Sequence, residues 1–346
     1  MPRRAIVSWA TAAASALLLS ACSSAPVQTA TAPAPITIAE DLDAPWSMAL
    51  YGNTLLVSER DTARVLELDE TGDVHEVGVI DDVAPGGEGG LLGLAVRDDE
   101  LYTYFTADDG NRVERRPILG EAGELSLGQP TAVIDGIPSA SNHNGGRIAF
   151  GPDGMLYVTT GDAGERDSAQ DLDALSGKIL RLTPDGGIPD DNPFRGSPVY
   201  SYGHRNPQGI GWDAEGTMYA SEFGQDTWDE LNIIEPGGNY GWPEAEGIAG
   251  GVGFIDPVQQ WRPADASPSG IAVTRSAILI ANLRGERLRR VPLDDLSTST
   301  EEYVGEFGRL RDVIATNGGV WMLTNNTDGR GDPAEGEDRI ILVPMD

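Results

Sequence analysis

The side chains able to do chemistry in this chain are few enough to take one at a time. There are 3 histidines and 1 cysteine among 346 residues. His143 follows Asn142 and precedes Asn144-Gly145-Gly146 in the run SNHNGGRIAFGPDGMLYVTTGDAG (141–164). A neutral imidazole is well suited to take a proton from a reacting group near pH 7. His204 lies inside YGHRNPQGIGWD (202–213), where a structural role is expected, and His75 is expected at the surface. Arginine supplies the second kind of chemistry, because its planar fork binds carboxylates through two parallel hydrogen bonds. Arg205, Arg284, Arg309 and Arg311 matter if the fold gathers them, since a cluster of arginines in a chain of net charge −31 calls for an anionic partner.

What gathers them is a repeat. No long helical period appears after residue 36. Instead a short apolar strand, a turn of Gly, Asp or Asn and a second apolar strand recur. The copies are WSMALYGNTLLVSE, GLAVRDDELYTYF, RIAFGPDGMLYVTTGD, GIGWDAEGTMYASE, GIAVTRSAILIAN and RDVIATNGGVWMLT. The first residues after the turns, Leu55, Leu101, Leu156, Met218, Ile278 and Val320, succeed one another at 46, 55, 62, 60 and 42 residues. Six copies over the chain from Ile36 give about 52 residues each, the size of a four-stranded propeller blade. The expected fold is therefore all-β, a six-bladed propeller with four-stranded antiparallel blades. Hairpins of a sandwich would not return the same turn six times.

In a propeller, equivalent positions of successive blades lie at one height around the axis. Residues just before each first strand converge on one rim: Glu88, His143, Arg205 with Asn206, Ser269, and Arg309 with Arg311. Residues just after each second strand point to the same end: Asp162, Gly224 with Gln225, Arg284 and Asn325.

Composition and the chain ends set the outer limits. So acidic a surface repels phosphate backbones, which argues against nucleic-acid partners. One cysteine, Cys22, rules out an intramolecular disulfide framework and a Cys-based zinc site. Arg3 and Arg4, the apolar run Ala5 to Leu19 and the close Leu19-Ser20-Ala21-Cys22 have the form of a secretory signal. The close resembles a bacterial lipobox, which implies cleavage after residue 21, lipid on the Cys22 sulfur and a lipoprotein held on the outer face of the cell membrane. Losing two Arg and no acid would take the charge from −31 to −33. Residues 22–35, rich in Ser, Ala, Thr and Pro, have the composition of a flexible tether, and 36–346 form the propeller. A monomer or weak dimer is expected.

Three runs give the propeller a specific character: SNHNGGRIAFGPDGMLYVTTGDAG, YGHRNPQGIGWD and SEFGQDTWDELNIIEPGGNYGWP (221–243). With GGEGGLLGLAV (86–96), SGKILRLTPDGGIPDDNPF (176–194) and RLRDVIA (309–315), they resemble the glucose/sorbosone dehydrogenase family, six-bladed propellers that oxidise aldoses with pyrroloquinoline quinone (PQQ) and calcium. The resemblance implies oxidation of the aldose C1 hydroxyl to a lactone, hydride passing to PQQ, and an external electron acceptor. It implies His143 as general base and Asp162 as the acid that orients it. Arg205 and Asn206 match residues contacting the quinone carbonyls. Arg284, Arg309 and Arg311 match positions holding the cofactor carboxylates, with lysine more usual at Arg284. Gly224 and Gln225 match a pair whose main-chain carbonyls face the cofactor-bound calcium. Asp229, Glu230 and Tyr240 match a second calcium site of some members.

The chain also departs from the pattern. Glu88, expected among the cofactor-binding residues, stands where better-studied members carry glutamine; it places another negative charge near an anionic cofactor, unless it hydrogen-bonds while protonated or faces solvent. A long insertion of those enzymes is missing, leaving between Trp242 and Gly270 a short segment with Trp261 and Arg262, and implying an open pocket with broad aldose use. The acidic stretch NNTDGRGDPAEGEDR (325–339) lacks EF-hand spacing, and its Arg-Gly-Asp is expected to be incidental to function. Two other readings share the fold: a non-catalytic carbohydrate- or protein-binding propeller, and a calcium-dependent lactonase. The lactonase would need a carboxylate cage at the channel centre.

Overall fold

The computed structural model describes residues 1–2, 34–69, 72–251 and 253–344. The chain divides into two compact units, Met1–Ala32 and Pro33–Asp346, and the second carries every strand described. The signal and tether expectations, Cys22 included, lie outside the described residues apart from the two ends of those segments.

The strand order is that of a propeller closed by its own N-terminus. β1 (Ile36–Ala39) opens the chain. Blade one is β2 (Pro45–Tyr51), β3 (Thr54–Glu59), β4 (Arg64–Leu68) and β5 (Val74–Val79). Blade two is β6 (Leu91–Arg97), β7 (Glu100–Ala107), β8 (Gly110–Leu119) and, beyond the short β9 (Ser126–Leu127), β10 (Thr131–Ile137). Blade three is β11 (Ile148–Phe150), β12 (Leu156–Thr160), β13 (Lys178–Leu182) and β14 (Val199–Tyr202). Blade four is β15 (Pro207–Trp212), β16 (Met218–Glu222), β17 (Asp229–Ile234) and β18 (Gln259–Trp261). Blade five is β19 (Pro268–Val273), β20 (Ala277–Asn282), β21 (Arg287–Pro292) and β22 (Thr300–Glu302). Blade six is β23 (Leu310–Thr316), β24 (Gly319–Thr324) and β25 (Ile340–Pro344), completed by β1, which pairs antiparallel to β25.

The six hairpins read from the sequence are thus the first two strands of the six blades. Their continuous apolar character has a physical cause. Each blade is covered on both faces by its neighbours, so a second strand such as β3, β12, β16 or β20 is buried at every position. The outermost β5 exposes most of its residues and marks the rim of the disc. Apolar clusters lie between successive blades all the way round. Leu56 and Phe105 share the one between blades one and two, Tyr104 and Val158 the next, and Leu66 and Leu323 close the ring between six and one. The sequence repeat did not reveal the closing β1–β25 pair, because a lone four-residue strand carries no hairpin signal.

The candidate active site

The loops before the first strands and after the second strands meet at one end of the channel, as the repeat requires. His143 lies in the loop before β11, with φ of 57°. A non-glycine residue in this region is uncommon, and such strain gathers at functional sites. Three contacts hold it there. The His143 amide donates to Glu88 Oε2 at 2.9 Å, its carbonyl accepts from the Ala163 amide at 3.2 Å, and its Nδ1 meets Asp162 Oδ1 at 2.7 Å. Gly161 permits this approach, since a Cβ there would stand 1.9 Å from the His143 carbonyl oxygen.

Asp162 is wholly buried, whereas the His143 side chain keeps 13 % exposure. Asp162 Oδ1 also accepts from the Gly164 amide at 2.8 Å, and Oδ2 from the Trp242 indole at 2.8 Å. Burial pushes the Asp162 carboxyl up, but the hydrogen bonds from His143, Gly164 and Trp242 and the electrostatic attraction of the His143 ring outweigh it and hold it below the usual carboxylate value. An ionised carboxylate only accepts, so it fixes the imidazole proton on Nδ1 and leaves the Nε2 lone pair for a substrate proton.

His143 borders a cavity of about 230 Å³ that also meets Glu88, Arg205, Phe223, Gly224, Gln225, Asp229, Arg284, Arg309 and Arg330. Arg205 donates from Nη1 to the Gly224 carbonyl at 2.6 Å and the Phe223 carbonyl at 3.2 Å, and its guanidinium lies over Trp242. Its Nε is buried and unpaired, as is Nδ2 of the neighbouring Asn206, whose Oδ1 accepts from the Gly145 amide. Arg284 forms no ion pair or hydrogen bond with any described residue. Arg309 donates to Asp328 Oδ2 at 2.9 Å, and Arg330 pairs with Glu88 Oε1 at 2.8 Å. Below, a narrow passage is lined by Trp46, Arg60, Gln208 and Arg311, and it shares Glu88, Phe223, Leu283 and Arg330 with the cavity.

A family model described as Glucose / Sorbosone dehydrogenase matches residues 42–332. The chain belongs to this family. The solved PQQ-bound aldose sugar dehydrogenase of Streptomyces coelicolor is 50 % identical with a TM-score of 0.86, over 90 % of this chain and 99 % of that one. Aldose sugar dehydrogenase YliI of Escherichia coli is 32 % identical over 72 % of this chain and 78 % of its own. Quinoprotein glucose dehydrogenase B of Acinetobacter calcoaceticus is 33 % identical over 63 % of this chain and 54 % of its own.

The residues present suit an anionic cofactor of this glucose/sorbosone dehydrogenase family. Four arginines face one cavity, one of them without a partner, and two buried donors at Arg205 and Asn206 lack acceptors. Calcium is a different case. Among the described residues no group of three or more His, Cys, Asp or Glu side chains is placed to hold a metal. Its oxygens would have to be main-chain carbonyls, and Arg205 holds that of Gly224 in this structure.

Several of the expected residues stand away from the cavity wall. Arg311 does not border the cavity. It is buried beneath it, donating to Gln208 Oε1 at 2.9 Å and Asn325 Oδ1 at 3.1 Å, and burial pulls its pKa down to about 9. Ser269 and Asn325 lie with it under the floor. Asp229, Glu230 and Tyr240 do not form one ligand set. Consecutive strand residues point to opposite faces, so Asp229 accepts the Gly224 and Ser267 amides at 2.9 and 2.7 Å, whereas Glu230 turns toward Tyr240, Glu222 and Glu246. The Tyr240 hydroxyl is committed to the Ile233 carbonyl at 2.7 Å and the Glu235 amide at 2.8 Å. Glu88 is only partly exposed and does not stand alone: it bridges Arg330 and the His143 amide. In the short segment, Trp261 and Arg262 stack with Arg289 and Trp228, and the neighbouring Pro263 and Ser267 border the cavity.

His204 is structural as expected, buried between Ser201 Oγ and Glu222 and stacked on Tyr240, and His75 is exposed. Sequence reasoning missed Trp242, Asp328 and Arg330. The last two lie in the loop after β24, the sixth member of the same set that holds Asp162, Gly224 and Arg284, and that signal could have found them.

Proposed function

We propose that this chain is a PQQ-dependent aldose dehydrogenase that oxidises the C1 hydroxyl of aldoses to the lactone. The observation that carries the reading is the His143–Asp162 pair, set at the edge of a cavity walled by arginines. Arg284 and Arg309 would hold cofactor carboxylates, and Arg205 and Asn206 would offer their unpaired donors to its carbonyls. Gly224 and Gln225 would give calcium main-chain oxygens once Arg205 releases the first. When bound, PQQ supplies the two-electron acceptor for the substrate hydride, with calcium as the Lewis acid beside it.

The chain's own residues then have separate tasks. His143 Nε2 takes the C1-hydroxyl proton as the hydride leaves that carbon. Asp162 keeps the acceptor tautomer and steadies the imidazolium that forms. Trp242 holds Asp162 through its indole and supports Arg205 by its ring face. The Arg205 guanidinium, which borders the cavity, would offset negative charge developing on the acceptor. An external electron acceptor completes the cycle.

Supplying PQQ and calcium to the purified apo-protein should produce dye reduction that depends on aldose. No reduction across a broad aldose panel, with no cofactor binding by calorimetry, would sink the proposal. The lactonase alternative needs a carboxylate cage in the channel, but Asp312 is spent on Arg147 at 2.8 Å and on two main-chain amides, Asp328 on Arg309, and Glu88 on Arg330 and the His143 amide. For Cys22, lipidation at a lipobox remains the reading of that segment, and mass spectrometry of the mature N-terminus tests it: an unmodified Cys22 peptide would refute it.

A further inference from the structure

Arg330 is the one cavity arginine whose ion pair lies at the open end. Its Nη1 meets Glu88 Oε1 at 2.8 Å, with the two side chains 50 % and 17 % exposed. Neither its Nε nor its Nη2 meets a described residue, so half of the fork is free. The root of this side chain is nevertheless fixed. The Arg330 amide donates to Asp328 Oδ1 at 2.9 Å, and Asp328 Oδ2 takes Arg309 at 2.9 Å and lies 3.6 Å from Arg311. One buried carboxylate thus ties together Arg309, Arg311 and Arg330 of the sixth blade. Glu88 is fixed as well, because its second oxygen accepts the His143 amide.

We propose that Arg330 is a further carboxylate-binding residue of the cofactor cavity, held by Glu88 so that its free edge receives a ligand carboxylate. This rests on the reading of the cavity as the site of a polycarboxylate cofactor. Guanidinium has five donors in a planar fork, so one edge can stay on Glu88 while the other binds the ligand. The arrangement also accounts for an acid beside an anion site. Paired with Arg330, Glu88 adds no net charge to the wall and orients a cation instead of repelling the ligand.

The test is calorimetric titration of PQQ, in calcium buffer, into full-length wild type, R330Q, R330K and the double variant E88Q/R330Q. R330Q should bind about tenfold more weakly, since it loses a charged contact and leaves Glu88 uncompensated. R330K should recover part of that loss through charge without the fork. E88Q/R330Q should bind more tightly than R330Q, because the repelling carboxylate is gone, yet more weakly than E88Q alone titrated alongside, because the ligand contact is still missing; a role confined to screening Glu88 would make those two equal. R330Q within twofold of wild type, or a double variant no better than R330Q, overturns the proposal. Wild type failing to bind PQQ overturns both this inference and the cofactor reading, whereas the first two results spare the latter.

Discussion

At the scale of single residues, the decisive group is the carboxylate behind the proposed base. Asp162 touches neither cavity nor solvent, yet it sets which nitrogen of His143 can accept a proton. Asp162→Asn keeps the shape but offers an amide hydrogen to Nδ1, favouring the tautomer whose Nε2 already carries its proton. Its kcat should fall about 10²- to 10⁴-fold, with PQQ affinity nearly unchanged. The same carboxyl makes a stability prediction. Its folded pKa lies below its ordinary value of 3.8, so its stabilising contribution is fully present above that value and is lost as pH falls through the lower folded value. The destabilisation of D162N in urea should therefore be larger at pH 6 than at about pH 2. Equal penalties at both would show that Asp162 is not preferentially ionised in the fold. Trp242→Phe removes the indole donor to Oδ2 and retains a ring beneath Arg205, so it should weaken turnover less than D162N does.

At the scale of elements, one loop shows how main chain becomes a site. The Gly224 amide donates to Asp229, and the amides of Gln225, Asp226, Thr227 and Trp228 all lie within 3.2 Å of Glu246 Oε1. Successive N–H groups turned onto an anion form a nest. Here they fix the peptide planes beside the cavity, and Gly224 is required because a Cβ would stand 1.7 Å from the Trp228 carbonyl oxygen. Glu246→Ala should loosen this loop and lower calcium affinity of the PQQ-loaded protein about tenfold, measured by calcium titration, with a much smaller effect on PQQ binding. Unchanged calcium affinity would separate the nest from the metal site.

This loop also shows what was legible in the sequence. The hairpin repeat placed Gly224, His143, Asp162 and Arg205 at one end, because strand period and turn spacing are local properties. Glu246 and Trp242 come from a segment with no repeat signature, and their partners lie 18 or more residues away. Asp229 and Glu230, adjacent in sequence, face opposite sides of β17, a separation that adjacency alone does not reveal.

At the scale of the whole molecule, the charge count resolves into an acidic exterior around a cationic axis. Arg147 and Arg311 lie over the Trp46 ring, with Arg60 beside it in the passage. Asp312 and Asp328 are the counterions: Arg147 donates to Asp312 Oδ2 at 2.8 Å, linking blade six to the start of blade three through the channel, and Asp312 also accepts the Met48 amide of blade one. Removing one partner of a buried pair leaves the other uncompensated, at a cost of about 3–5 kcal/mol. Asp312→Ala should therefore lower unfolding stability by that order in urea. A loss below about 1 kcal/mol, the worth of an exposed pair, would deny the pair its place in holding the blades together. The six-fold count was visible from spacing alone, whereas the closure by β1 and this axial pairing join residues hundreds of positions apart.

The central claim, that His143 is the base at an arginine-walled PQQ site, is tested most directly by single-turnover reduction. Wild type and His143→Gln, each loaded with PQQ and calcium, are mixed with excess aldose, and cofactor absorbance is followed. Both should bind PQQ, and the variant should reduce it at least about 10²-fold more slowly. Reduction by His143→Gln at the wild-type rate would contradict the account.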